Sequence, residues 1–253
     1  MIEVKNISKQ FNGTTILSNV TNSFEKGKVN LIIGGSGSGK TVLMKCMVGL
    51  YDVDNGSISF DGREFSGLTK KERKSIRSEI GMLFQGSALF DSMNVEENVM
   101  FPLTMLSEMQ EEEKKERVNF CLNRVDLKNV NHLFPAEISG GMKKRVAIAR
   151  AMAMNPKYLF CDEPNSGLDP KTSIIIDELI KEITYEYDMT TVINTHDMNS
   201  VLMMGDNIIF IYKGEKHWSG SAKDILNSGN NELEEFVFAS KVMQDLRKQM
   251  RTN

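Results

Sequence analysis

The chain has 253 residues, 40% hydrophobic and 26% charged, which suits one large soluble-type domain or a domain with a subdomain and a tail. Its net charge of −3 leaves no basic excess for nucleic acid or an anionic membrane surface. Cys46, Cys121 and Cys161 have no metal-ligand spacing, and no apolar run approaches the ~20 residues that cross a bilayer. The start, Met1-Ile2-Glu3-Val4-Lys5, has no signal-peptide layout, so the chain is expected to stay in the cytosol, or on its face of a membrane if another protein holds it there.

Residues 2–7 alternate apolar and polar and predict a half-buried strand; Phe11 follows in a loop with Asn12-Gly13, and residues 14–24 predict a second strand. Lys26-Gly27 turns the chain into the apolar run Val29-Asn30-Leu31-Ile32-Ile33. That run leads into Gly34-Gly35-Ser36-Gly37-Ser38-Gly39-Lys40-Thr41, which fits G-x-x-x-x-G-K-[ST], and a helix is expected from Val42 to about residue 50. Strand, glycine loop and helix in that order make a phosphate nest. The glycines let backbone N–H groups turn inward, the helix N-terminus adds partial positive charge, Lys40 can neutralise β- and γ-phosphate, and the Thr41 hydroxyl can ligate Mg²⁺.

Asn55-Gly56 reads as a turn before a short strand at 57–60, with Asp61-Gly62 as the next turn. Thr69-Lys70-Lys71-Glu72 fits a capping box and predicts a helix to about Glu79, followed by a strand at 80–84 that ends at Gln85. From 86 to 154 the pattern turns helical. Asn94-Val95-Glu96-Glu97 is a second capping box, Val118, Cys121, Leu122 and Val125 form one apolar stripe, and Ser139-Gly140-Gly141 opens a helix over 142–154. This stretch reads as a subdomain inserted in a sheet domain. Strands return at 157–161, 190–194, 208–212 and 216–219, with a helix from Asp169-Pro170 to about Tyr187. The chain is expected to be helical from Ser221, and in the tail from Asn231 the residues Phe236, Ala239, Met243, Leu246 and Met250 recur at helical spacing.

Three further groups carry chemistry. Tyr158-Leu159-Phe160-Cys161-Asp162-Glu163 is an apolar strand ending on two acids, either a plain strand-to-loop turn or, behind a P-loop, a Mg²⁺ ligand followed by a general base. Ser139-Gly140-Gly141 is a plain N-cap or a second phosphate nest, and the lone His196 makes local helix-start hydrogen bonds or takes part in the chemistry.

The order of these motifs resembles the ATP-binding subunit of an ABC transporter, from Phe11 to about Ser219. The resemblance implies an α/β P-loop NTPase with a RecA-like core, an antiparallel β subdomain and an inserted α-helical subdomain at about 86–154, all within 1–230, with a helical tail at 231–253. It implies ATP and Mg²⁺ as ligands. Phe11 would stack on adenine where Tyr is commoner. Gly34, Gly35, Ser36, Gly37, Ser38, Gly39, Lys40, Thr41 and Val42 would hold the nucleotide; Gln85 would be the Q-loop glutamine, touching Mg²⁺ and sensing the membrane partner. Ser139, Gly140 and Gly141 would be the signature motif, with Asp169 in the D-loop also near nucleotide. Asp162 would hold Mg²⁺, Glu163 would be the catalytic base and His196 the switch histidine. Met142 and Ile138 stand where Gln and Leu are usual, and Asn165 where Thr or Ser is.

A narrower stretch, Leu83-Phe84-Gln85-Gly86-Ser87-Ala88-Leu89-Phe90-Asp91-Ser92-Met93 with Val95-Glu96-Glu97-Asn98-Val99 and Phe101-Pro102-Leu103, resembles the Mla (maintenance of lipid asymmetry) ATPases, as does Ser-Gly-Gly-Met followed by Lys143-Lys144-Arg145. That implies phospholipid transport on the cytoplasmic face of the inner membrane, with an MlaE-like permease, an MCE-type lipid-binding subunit and a small accessory subunit. The homodimer is implied by the ABC resemblance, since the chain has one glycine loop and one signature and the family pairs them head to tail. An amino-acid or metal transporter is the alternative. A soluble ABC protein acting on DNA or the ribosome is disfavoured by the acidic composition.

Overall fold

A computed structural model of the chain describes residues 1–69 and 71–239. In chain order they form β1 (Ile2–Phe11), β2 (Thr14–Phe24), β3 (Lys28–Ile33), α1 (Lys40–Met47), β4 (Asn55–Phe60), β5 (Arg63–Glu64), α2 (Lys74–Arg77), β6 (Ile80–Leu83), α3 (Val95–Leu106), α4 (Glu111–Arg124), α5 (Gly140–Met152), β7 (Tyr158–Asp162), α6 (Pro170–Glu186), β8 (Thr190–Asn194), α7 (Met198–Met204), β9 (Asn207–Tyr212), β10 (Glu215–Gly220) and α8 (Asn231–Val237). The chain is α/β and divides into two compact units, Met1–Gly67 with the residues from Asn194 on, and Leu68–Ile193.

In the first unit β2, β1, β4 and β5 form an antiparallel sheet. Asn12 and Gly13 both take positive φ, 51° and 79°, as a tight two-residue hairpin turn requires. Phe11 therefore ends β1, paired with Thr14, rather than lying in a loop. The strand continues past the predicted residue 7 because a bulge at Asn6 (φ 52°) shifts the alternation by one, so Ile2, Val4 and Ile7 are the buried positions. Asn55-Gly56, expected as a turn, instead opens β4. A Cβ on Gly56 would lie 2.4 Å from the Lys5 carbonyl oxygen, so its glycine serves a close approach of strands. In the same unit β3 pairs in parallel with β9, and β10 is antiparallel to β9. Asn30, 1% exposed, fixes the turn into β3: its amide accepts from Glu25 N at 2.8 Å and donates to the Glu25 and Lys28 carbonyls.

In the second unit β6 pairs in parallel with β7, all five residues of which are buried, and β8 continues that order. The helix expected over 69–79 is the single turn α2. The Thr69–Glu72 box forms, with Glu72 accepting from Thr69 N at 2.8 Å, but Ile76 is the one buried apolar side chain of α2 to hold more turns in place. The Asn94–Glu97 box opens α3, and Val118, Cys121, Leu122 and Val125 are all buried, as their stripe requires. Arg117 of α4 closes the end of α5, donating from Nε to Ala153 O and from Nη2 to Met152 O, both at 2.9 Å, so two carbonyls without helical partners are satisfied. On Gly81 a Cβ would lie 2.4 Å from the Ala151 carbonyl oxygen, which sets how closely α5 approaches β6.

Among the described residues no helix is long and apolar enough to cross a membrane. Where a helix was expected from Ser221, a 3-10 turn at Ile225–Asn227 precedes α8. The tail stripe is described only at Phe236, whose ring lies 5.6 Å from that of Phe210, and at Ala239; Met243, Leu246 and Met250 lie outside the described residues.

Candidate functional site

The first unit holds the glycine loop between β3 and α1. Gly34, Gly37 and Gly39 have φ of 150°, 75° and 108°. A Cβ on Gly39 would lie 2.8 Å from Leu17 Cδ2, so the loop is pressed against β2 with no room for a side chain. Lys40 is 8% exposed, and its Nζ donates to the carbonyls of Gly34 at 2.8 Å and Gly35 at 3.0 Å. The ammonium is thus folded over its own loop. Ser38 is buried, and its hydroxyl lacks a hydrogen-bond partner among the described residues. Helix α1 opens with no side-chain cap and no acidic residue in its first turn, so nothing there opposes an anion at its positive end. A buried cation, an orphan hydroxyl and a glycine cradle fit a polyphosphate.

Phe11, 37% exposed, meets Tyr51 edge-to-face at 5.2 Å, with Lys9 Nζ 5.3 Å from the Phe11 ring centre. Tyr51 was not singled out by the sequence, because nothing local marks an aromatic that pairs across forty residues. His196 is exposed between β8 and α7, and the cap of α7 is Asp197, which accepts from Asn199 N at 2.9 Å.

In the second unit β7 ends on Asp162, 7% exposed, followed by Glu163 in the left-handed region at φ 49°. Such a conformation costs a non-glycine residue roughly 1–2 kcal/mol, and it turns the chain sharply at the end of the strand. Asn165 Nδ2 donates to the buried Asp177 Oδ1 at 2.8 Å, so this departure from the usual Thr or Ser pins the turn to α6. Asp169 caps α6, accepting from Thr172 N at 3.1 Å and from its hydroxyl, and these bonds hold its carboxyl below the usual range. Ser139 is the N-cap of α5, accepting from Met142 N at 3.2 Å, and that helix also starts without an acidic residue. A Cβ on Gly141 would lie 2.8 Å from Thr172 Cγ2. Gln85 is exposed just beyond β6.

Lys144 of α5 is 3% exposed and its Nζ has no hydrogen-bond partner among the described residues. Burial pulls its pKa down, against the opposing pull of Cys161 and Glu163, and burial also pushes the Cys161 thiol up. Because the folded state binds that proton less tightly than the unfolded chain, stability rises with pH between the lowered value and lysine's ordinary 10.5. Lys144→Met is expected to raise stability by about 1–2 kcal/mol, since an unpaired buried ammonium is replaced by an apolar chain of similar length. The check is thermal unfolding near neutral pH; a lowered midpoint would mean that the ammonium contributes more than its burial costs.

Among the described residues no group of three or more His, Cys, Asp or Glu side chains forms a metal cluster. The oxygen side chains singled out for Mg²⁺, Thr41, Gln85 and Asp162, are the hard-ligand type that this ion takes together with water and phosphate.

A family profile described as "ABC transporter" matches residues 17–166. The probable ribonucleotide transport ATP-binding protein mkl of Mycobacterium leprae is 37% identical over 236 residues, covering 93% of this chain and 68% of the relative. The methionine import ATP-binding protein MetN of Clostridium tetani is 38% identical over 240 residues, covering 94% of this chain and 74% of the relative. Among solved structures, a dimeric ATP-binding cassette in a post-hydrolysis state bound to ADP and Pi superposes with a TM-score of 0.80 at 32% identity, covering 88% of this chain and 99% of that one.

Proposed function

We propose a function from one premise: this chain belongs to the ABC transporter family, as an ATP-binding subunit and an ATPase that uses ATP with Mg²⁺. Subunits of this family pair as dimers and work with a transmembrane permease. On that premise the chain is the motor of a small-solute importer of the amino-acid class. The observation that carries the motor is Lys40, a buried cation held on the Gly34 and Gly35 carbonyls and ready to exchange them for phosphate oxygens. The cargo rests on relatives named for methionine import, at 35% to 40% identity over 94% of this chain.

The roles follow residue by residue. In the first unit the backbone of the glycine loop and Lys40 hold the phosphates, the Thr41 hydroxyl is offered to Mg²⁺, Phe11 stacks on adenine, and His196 lies close to the γ-phosphate. In the second unit Asp162 and Gln85 are offered to Mg²⁺, Glu163 takes the proton of the attacking water, and Ser139, Gly140 and Gly141 with Asp169 face nucleotide. With one glycine loop and one signature per chain, a homodimer forms two composite sites and presents two matching surfaces to the permease, on the cytoplasmic face of a membrane.

A second cargo reading, phospholipid, is favoured by one observation: the Mla-like segment after Gln85, together with Met142. It brings an MlaE-like permease, an MCE-type subunit and a small accessory subunit as partners. Reconstitution with the cognate permease decides between the two. Amino-acid uptake driven by ATP supports the importer; lipid transfer between vesicles without such uptake supports the second reading; a complex that hydrolyses ATP but moves a metal ion contradicts both cargoes and leaves the motor standing.

A further inference from the structure

The loop after Gln85 has an unusual backbone. Gly86, Ser87 and Ala88 take φ of 77°, 69° and 47°, three successive residues in the left-handed region, two of them with side chains. Such a run is held only where its surroundings over-determine it. Here the holder is Arg150 of α5. Its Nη2 donates to Ser87 O and its Nη1 to Ala88 O, each at 2.8 Å, and the guanidinium lies 5.9 Å from the centre of the Phe90 ring. Two adjacent carbonyls matched to the two ends of one rigid fork is a geometry that lysine cannot reproduce. Burial lowers the pKa of Arg150, yet arginine stays charged, so both bonds are charge-assisted.

The other end of the loop is held as firmly. Asn98 is fully buried; its Oδ1 accepts from Phe90 N at 2.8 Å, and its Nδ2 donates to the carbonyls of Phe90, Met93 and Asn94 at 2.9 to 3.1 Å. Phe90 also packs on Phe101 with ring centres 4.7 Å apart. Residues 86–94 are therefore not a compliant surface loop. Helix α5 begins at the Ser139-Gly140-Gly141 turn and carries Arg150 near its other end, where Arg117 also grips it.

We propose that Arg150 is a positioning residue that locks the loop after Gln85 to helix α5, so that a displacement of the signature turn is delivered to the permease-facing segment without slack. This rests on the reading that segment 86–103 meets the permease. A merely structural arginine would lower stability and every activity together; a locking arginine affects transmission alone.

The experiment uses the full chain in complex with its permease. Arg150→Lys keeps the charge but loses the two-carbonyl fork. It is expected to leave ATP hydrolysis by the isolated protein unchanged and to reduce permease-stimulated hydrolysis about fivefold or more. In parallel, spin labels at Asp91→Cys and Glu137→Cys report the spacing of loop and signature turn. The spacing is expected to be narrow and the same with and without ATP in the native background, and broad in Arg150→Lys. Retained permease stimulation with a narrow spacing in Arg150→Lys overturns the proposal, as does a native spacing that changes with ATP. If the native protein shows no permease stimulation at all, it is the docking reading that fails, and the label spacing still decides whether Arg150 locks loop to helix. If Arg150→Lys does not fold, Arg150→Gln takes its place in the label experiment: a broad spacing supports the proposal and a narrow one overturns it.

Discussion

Glu163→Gln is expected to cut ATP turnover by about 10²–10⁴-fold while leaving ATP binding intact. The amide keeps the size and shape of the carboxylate but cannot take a proton from water. It changes no atom of the glycine loop, Lys40 or Ser38, the groups read as holding the phosphates. The residue sits one step beyond Asp162, in a left-handed turn (φ 49°) that redirects the chain just after the strand. With hydrolysis blocked, ATP is held, and the variant is expected to accumulate as an ATP-bound dimer. Phosphate release and size-exclusion chromatography with ATP check both halves. Near-normal phosphate release would remove Glu163 from the role of base.

Gly34→Ala is expected to abolish nucleotide binding and to destabilise the fold by roughly 2–4 kcal/mol. At φ 150° the backbone occupies a region that L side chains rarely adopt, and the new Cβ would lie 2.2 Å from Ile211 O and 2.8 Å from Ser38 Oγ. The first of these is backbone of β9, paired in register beside β3, so it cannot swing aside. Either the loop lifts, taking with it the carbonyl that holds Lys40, or the strand pair opens. Gly35→Ala is the matched control: nothing lies within 4 Å of its Cβ, so the fold is expected to hold. Thermal unfolding and nucleotide titration of the two variants make the comparison. Equal stability of Gly34→Ala and the native chain would show that the loop is looser than its packing implies.

The glycine loop was legible because its chemistry is local. Strand, turn residues and helix follow one another within twenty positions, and the spacing itself states what the backbone must do. The same holds for the capping boxes at Asn94 and Thr69 and for the apolar stripe of α4. The misreadings arose where a residue answers to something distant. Asn55-Gly56 has the composition of a turn, yet its glycine serves the carbonyls of Lys5 and Asn6 on a neighbouring strand. The bulge at Asn6 broke the alternation that would have extended β1 to Phe11. The length of α2 depended on apolar contacts that its polar sequence does not supply. Arg150 and Tyr51 meet partners 62 and 40 residues away, Ala88 and Phe11, and no spacing rule reaches so far. Asn98 did leave a trace. It is a polar residue on the buried stripe of α3 between Val95 and Val99, and a buried amide must find partners.

The departures from the usual motif also sort themselves by what they touch. Asn165 replaces a hydroxyl with an amide that reaches Asp177, a structural bond rather than a change of chemistry. Ile138 is 7% exposed and remains an apolar anchor before the Ser139 cap. Met142 offers only its backbone N–H to Ser139, so the capping geometry at that turn is indifferent to the side chain.

The measurement that tests the motor most directly is phosphate release from ATP by the purified chain, taken as a function of protein concentration with and without Mg²⁺. Release is predicted to require both ATP and Mg²⁺ and to rise more steeply than linearly with protein concentration, because in the proposed homodimer each composite site needs two chains. ATP binding with no phosphate release at any concentration, or a rate per chain that stays constant on dilution, would contradict the account.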